Sequence, residues 1–160
     1  MQLDIVIPCF NETEVLRSTH SRVRSILEEV KKKKLIDEFN IIYVDDGSSD
    51  GTFELLDEYS QEEKFVKVIS FSKNFGHQAA LSAGLRVAEG DAVISLDADL
   101  QDPPELIEEM LICYRDGFKI VYGVRNDREE DTFFKRITAT GFYKLMQWLG
   151  VSIVPHHAEY

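Results

Sequence analysis

Short apolar runs alternate along this chain with longer stretches of helical periodicity. The apolar runs lie at Leu3 to Ile7, Ile41 to Val44, Val66 to Phe71, Ala92 to Leu96 and Ile120 to Val124, each of strand length. After the first run, Val15, Leu16, Thr19, Val23, Ile26, Leu27 and Val30 recur at helical spacing. That pattern ends in Lys31 to Lys34, which suits the negative end of a helix dipole; contact with a membrane surface is the lesser alternative. A shorter helix is predicted after Asp50-Gly51, with Phe53, Leu56 and Tyr59 inward. Another spans about His77 to Ala88, where Ala79, Ala80, Ala83 and Gly84 permit close packing on a sheet. A fourth begins with Asp102 as N-cap, Pro103 in its first turn and Glu105 completing a capping box, and buries Leu106, Ile107, Met110, Leu111 and Tyr114.

Strands that alternate with helices imply right-handed crossovers and an α/β fold whose mostly parallel sheet is covered on both faces. Ligands of such sheets bind beyond the carboxyl ends of the strands. Three polar clusters fall at such ends, Pro8 to Glu12, Asp45 to Asp50 and Asp97 to Gln101, and are expected to converge on one crevice.

Composition narrows the class. With 160 residues, 44% hydrophobic and 29% charged, the chain suits one soluble domain, residues 1–160, without repeats or low-complexity tracts. A net charge of −11 argues against nucleic acid as a partner, so an anionic ligand would need a local bridge of metal or arginine. Cys9 and Cys113 lie far apart with no zinc-like spacing, which predicts reduced thiols in a cytosolic setting. No leader pattern and no apolar run near the roughly 20 residues of a membrane span occur, so this chain by itself reads as soluble and cytoplasmic.

The chemistry concentrates in Asp97-Ala98-Asp99-Leu100-Gln101. In an extended segment residues i and i+2 point the same way, so Asp97 and Asp99 would present their oxygens together while Ala98 turns aside. Convergent carboxylates repel unless a cation sits between them, and hard oxygen donors favour Mg²⁺ or Mn²⁺ with water and substrate phosphates completing the shell. Gln101 adds a neutral oxygen. The plainer alternative is a solvated acidic turn. In the first cluster, Phe10 offers an aromatic face for a base and Glu12 an acceptor for a ribose hydroxyl, or else Asn11 merely caps a turn. In the second, Asp45 and Asp46 suit a base N–H while Gly47 lets backbone approach a ligand, or else Asp-Gly-Ser is ordinary loop chemistry. Neither the Gly-x-Gly-x-x-Gly fingerprint nor a Gly-Lys-Ser/Thr loop is present. Phosphates therefore fall to a metal at Asp97 and Asp99, with Arg125 at the end of the fifth run, and Arg128, Lys135 or Arg136 beyond, in support. His20, His77, His156 and His157 form no helical metal pair; His77 reads as a helix-start residue beside the Asn74-Phe75-Gly76 turn.

Together, Asp4 to Glu12, Val44 to Asp50, Asn74 to Ala80 with Gly84, Gly90-Asp91, Asp97 to Glu105 and Val121 to Arg125 occur in an order that resembles the family 2 glycosyltransferases. The likeness is greatest to the branch holding dolichol-phosphate mannose synthase and bacterial undecaprenyl-phosphate glucosyltransferases. It implies a Rossmann-like GT-A fold, three-layer α/β/α with a mostly parallel sheet, here truncated to its nucleotide-sugar-binding part. It further implies a metal-dependent, inverting transfer of a hexose from a UDP-sugar or GDP-mannose to a polyprenyl phosphate or another glycan or lipid acceptor. Carried over by position, Pro8, Phe10, Asn11, Glu12, Asp45, Asp46, Ser48, Asn74, Gly76, Asp97, Ala98 and Asp99 would line the donor site. Asp97, Asp99 and Gln101 would hold Mg²⁺ or Mn²⁺, and Asp99, Arg125 and Glu159 would serve catalysis. Many relatives carry Asp where Glu159 stands, a position proposed to orient the acceptor or act as base. The family continues past His156 to Tyr160 with an Arg-containing acceptor stretch, interface helices and often membrane spans, so this chain reads as a fragment. The full-length protein is then expected at the cytoplasmic side of the plasma membrane, bound there through parts this chain does not contain, with homo-oligomers left open.

Two other readings compete. A haloacid-dehalogenase-type phosphohydrolase also uses Asp-x-Asp, but at the end of the first strand rather than the fourth. A non-catalytic nucleotide-binding module is the other.

Overall fold

Four of the five apolar runs become strands of one sheet. In the computed structural model, residues 1–101 and 103–123 are described, and Met1–Val121 form a compact unit. The elements follow as β1 (Gln2–Cys9), α1 (Thr13–Lys32), β2 (Glu38–Asp45), α2 (Thr52–Glu62), β3 (Val66–Ser70), α3 (His77–Val87), β4 (Ala92–Ser95) and α4 (Leu106–Arg115). All pairings are parallel, in the order β3-β2-β1-β4, with Ile5 level with Ile41 on one side and Ile94 on the other.

The period of two along β1 sorts its side chains between two cores. Leu3, Ile5 and Ile7 pack with Leu16, Val23 and Leu27 of α1, Leu55 and Leu56 of α2, and Ile107 and Leu111 of α4. Val6 on the other face joins Ile42, Val44 and Ala80 of α3. The result is the predicted α/β/α arrangement. Gly84 lets α3 sit close, because a Cβ there would run into the Val6 side chain and lie 3.1 Å from Val44.

Buried Asp4 ties the α3–β4 turn to β1, at the sheet end away from the crevice. Its carboxylate accepts the Asn40 amide at 2.8 Å and the backbone N–H groups of Glu89 and Gly90 at 2.8 and 3.0 Å. Burial opposes its charge, but these donors prevail and hold the carboxyl below its usual range.

Three expectations are corrected. Residues 120–123 form no strand: Ile120 is 79% exposed, and an apolar run becomes a strand only where another strand pairs with it. In α2 the buried set is Thr52, Leu55, Leu56 and Tyr59, with Phe53 at the surface. Thr52 holds the inward position because its hydroxyl is fully engaged, as described below. The fourth helix starts at Leu106 with Glu105 in the N-cap place and no side-chain cap. Consecutive prolines account for this, since Pro104 disfavours the helical region for Pro103 before it. Asp102, expected as the cap, lies outside the described residues.

Candidate functional site

The order β3-β2-β1-β4 reverses direction between β1 and β4, and at such a switch point the loops leaving the strands part to form a crevice. The loops after β1 and β4 flank it, and those after β2 and β3 adjoin it.

The first loop is locked to the second. Asn11, in the left-handed region at φ 57°, donates its N–H to Ser48 Oγ at 2.9 Å, and its side-chain oxygen accepts the Ser49 N–H at 2.9 Å. The Glu12 N–H donates to Thr52 Oγ1, and that hydroxyl donates to Asp50 at 2.6 Å. The Asp50 carboxylate also accepts the backbone N–H groups of Thr13 and Thr52, so one charge serves the starts of α1 and α2. Slight burial opposes it, yet hydrogen bonds from Thr52 and Thr13 hold the carboxyl down at about 2.

Asp45 and Asp46 are both buried and both engaged within the chain. Asp45 accepts the Ser48 N–H at 3.1 Å and the Ser70 hydroxyl at 2.9 Å. Asp46 accepts the Phe75 and Gly76 N–H groups at 2.7 and 2.8 Å, fixing the loop that enters α3. Gly47, at φ 71°, approaches the chain's own backbone rather than open space: a Cβ would lie 2.6 Å from Lys73 Cα and 2.7 Å from Asn74 N. Ser48 thus joins the first and second loops, while Asn74 is exposed and Gly76, at φ 94°, has open space where a Cβ would stand.

Pro8 is buried at the end of β1, whereas Phe10 is 44% exposed and free to stack. Across the switch point, Asp97, Ala98, Asp99 and Gln101 follow β4. They lie beyond the end of the strand, with a turn at Ala98 and Asp99, Leu100 at φ 56° and the Asp99 carboxylate accepting the Gln101 N–H at 3.0 Å. Ala98 does turn inward, and Asp99 points outward. Burial, then the negative charges of Asp99, Asp50 and Asp97, pushes the Glu12 carboxyl above its usual range. Glu12 thus feels carboxylates from both of the other loops.

Among the described residues no three acidic, histidine or cysteine groups are grouped to hold a metal. The donors do fit a hard divalent ion, which needs only one or two carboxylates besides water and phosphate, and the accumulated negative charge felt by Glu12 is of the kind a cation relieves. Arg125 and Glu159 lie outside the described residues, as do Arg128, Lys135 and Arg136. His77 opens α3, as expected. Cys9 and Cys113 are free thiols. No described helix is long and apolar enough to cross a membrane.

Sequence reasoning missed the polar side chains that build the site without facing a ligand: Thr19, Ser70 and Thr52. Only Thr19 left a trace, as a hydroxyl on an otherwise apolar helix face.

Comparison with known proteins agrees with this architecture. Residues 4–156 match the model for Glycosyl transferase family 2, and the chain belongs to that family. It is 45% identical to an uncharacterized glycosyltransferase, YkoT, of Bacillus subtilis, over 99% of this chain and 48% of the relative. It is 39% identical to a prophage bactoprenol glucosyl transferase homolog of Escherichia coli, over 91% of this chain and 46% of the relative. The chain thus spans about half the length of the curated relatives it matches. Among solved structures, the mannosyltransferase PcManGT of Pyrobaculum calidifontis, solved with GDP-Man and Mn²⁺, superposes with a TM-score of 0.60 at 17% identity, covering 80% of this chain and 36% of that one. The fold is therefore that of GT-A glycosyltransferases. The phosphohydrolase reading falls with this result, and the Asp-x-Asp pair indeed follows β4, not β1.

Proposed function

We propose that this chain is the donor-binding part of a hexosyltransferase that moves sugar from a nucleotide diphosphate to a polyprenyl phosphate or related acceptor, with inversion and with a divalent metal. The observation that carries this is the pairing of β1 with β4 at the switch point, which sets the Phe10–Glu12 loop and the Asp97–Asp99 loop at adjacent strand ends. The bactoprenol glucosyl transferase name of a 39% identical relative supports the acceptor class.

On this reading Pro8, Phe10, Asn11, Glu12, Ser48, Asn74 and Gly76 take the nucleoside, with Asp45 and Asp46 ordering the loops that shape its pocket. Asp97, Asp99 and Gln101 would hold Mg²⁺ or Mn²⁺, which neutralises charge on the departing nucleoside diphosphate. Arg125 would add positive charge there and Glu159 would orient the acceptor. An acceptor phosphate is largely ionised near neutral pH, so it needs placing more than deprotonation. The cytoplasmic membrane face is where the full-length protein would meet such an acceptor.

Calorimetry of UDP and GDP with Mn²⁺, Mg²⁺ or chelator, on this chain and on Asp99→Asn, tests the reading. Metal-dependent binding of one nucleotide, abolished by the substitution, is the expected result and names the donor base. No binding by the folded chain, or binding indifferent to metal and to Asp99→Asn, would refute it.

A further inference from the structure

We infer that Thr19 is a positioning residue for the acidic loop, acting through the peptide carbonyl of Ala98; this rests on the reading of Asp97 and Asp99 as cation ligands. Thr19 lies on α1 and is wholly buried. Its Oγ1 stands 2.6 Å from the Ala98 carbonyl oxygen and 3.1 Å from the Val15 carbonyl of its own helix. A hydroxyl carries one proton, and the shorter contact takes it. Ala98 is the residue between the two carboxylates, and its carbonyl belongs to the peptide that leads into Asp99. The hydroxyl thus pins the loop at its centre.

The same helix grips the loop again further on. Arg22, three residues beyond Thr19, donates to both Glu105 oxygens, with Nη2 at 2.7 and 2.8 Å and Nε at 2.9 Å from Oε1. This fork lies about half in solvent, which screens it. The Thr19 bond is dry and unscreened, and losing it would strand a buried carbonyl. Without this bond the loop would have to be ordered when the cation and nucleotide bind, which costs affinity. A Thr on the inner face of α1 therefore sets metal-dependent affinity without touching metal or nucleotide.

The test is calorimetric titration of UDP and GDP, with Mn²⁺ and with chelator, into the chain and its Thr19→Val and Thr19→Ser variants, alongside thermal unfolding. Thr19→Val should unfold cooperatively yet bind nucleotide about tenfold more weakly in Mn²⁺, as expected for one buried acceptor left unpaired. Its binding in chelator should match the parent, and Thr19→Ser should restore the Mn²⁺-dependent affinity. Equal weakening with and without Mn²⁺, parent-like affinity in Thr19→Val, or no recovery in Thr19→Ser would overturn the inference. Should Thr19→Val fail to fold, Thr19→Ala is judged by the same comparison. A parent chain whose binding ignores Mn²⁺ and Asp99→Asn would instead remove the site reading, and the inference with it.

Discussion

Single residues in this site act mostly on neighbouring backbone. Gly47 is the sharpest case: it combines φ 71° with a space that the Lys73–Asn74 backbone fills. Any side chain pays for the left-handed conformation, about 1–2 kcal/mol, and must also push aside a neighbouring peptide. Gly47→Ala is therefore expected to lower stability by about 2 kcal/mol or more in denaturant titration and to weaken nucleotide binding. Gly76→Ala has only the conformational cost, since nothing lies within 4 Å of its Cβ position, and should be milder. Asp45, Asp46 and Gly47 were readable from sequence as a loop at a strand end, but not as the frame that holds residues 70–76. That role depends on which distant segment meets the loop, and no local spacing encodes it.

Between elements, the sheet face under α1 and α2 holds one polar cluster. His20 of α1 is buried, with Nδ1 3.0 Å from the Tyr43 hydroxyl of β2 and Nε2 3.0 Å from Glu63 just after α2, and its ring stacks on Tyr59 of α2 at 4.1 Å. Arg24 pairs with the same Glu63. Burial lowers the His20 affinity for protons, Glu63 opposes this, and Arg24 adds to the lowering. A histidine whose proton affinity is lower folded than unfolded makes the unfolded chain take up protons first. Its contribution is fully present above the ordinary value of 6.5 and is lost as pH falls below it. Stability should thus decline from pH 7 to 5, and His20→Gln should flatten that slope in denaturant titrations at each pH. Asp4→Asn should leave the slope intact there, because the Asp4 carboxyl titrates below 3.8. Element positions were largely legible from periodicity alone, as β1 to β4 show. Two misses share one physical cause: pattern reading weighs apolarity, whereas Thr52 and His20 are buried because hydrogen bonds satisfy them.

At the scale of the whole molecule, the alternating pattern predicted the parallel sheet that is found, and the strand-end rule is the ground on which the crevice is proposed. What the pattern did not reveal is the strand order, since pairing in a sheet is a property of the assembled chain. The chain spans about half the length of the relatives it matches, and most acceptor contacts are expected in the other half. The chain alone should therefore bind donor nucleotide but transfer sugar poorly to a polyprenyl phosphate. A radiolabelled transfer assay checks this, and robust turnover by residues 1–160 would contradict it.

The strand order also dictates when the site can exist. Leu3 pairs with Ala92, so the second neighbour of β1 is supplied only after β2 and β3 have passed through synthesis. Closing so long a loop costs more entropy than joining strands that follow one another through a single crossover helix. In a growing chain the Phe10 and Asp46 loops are made well before the Asp97–Asp99 carboxylates, which follow β4. On the proposed site, binding competence therefore requires β4 to be in place beside β1.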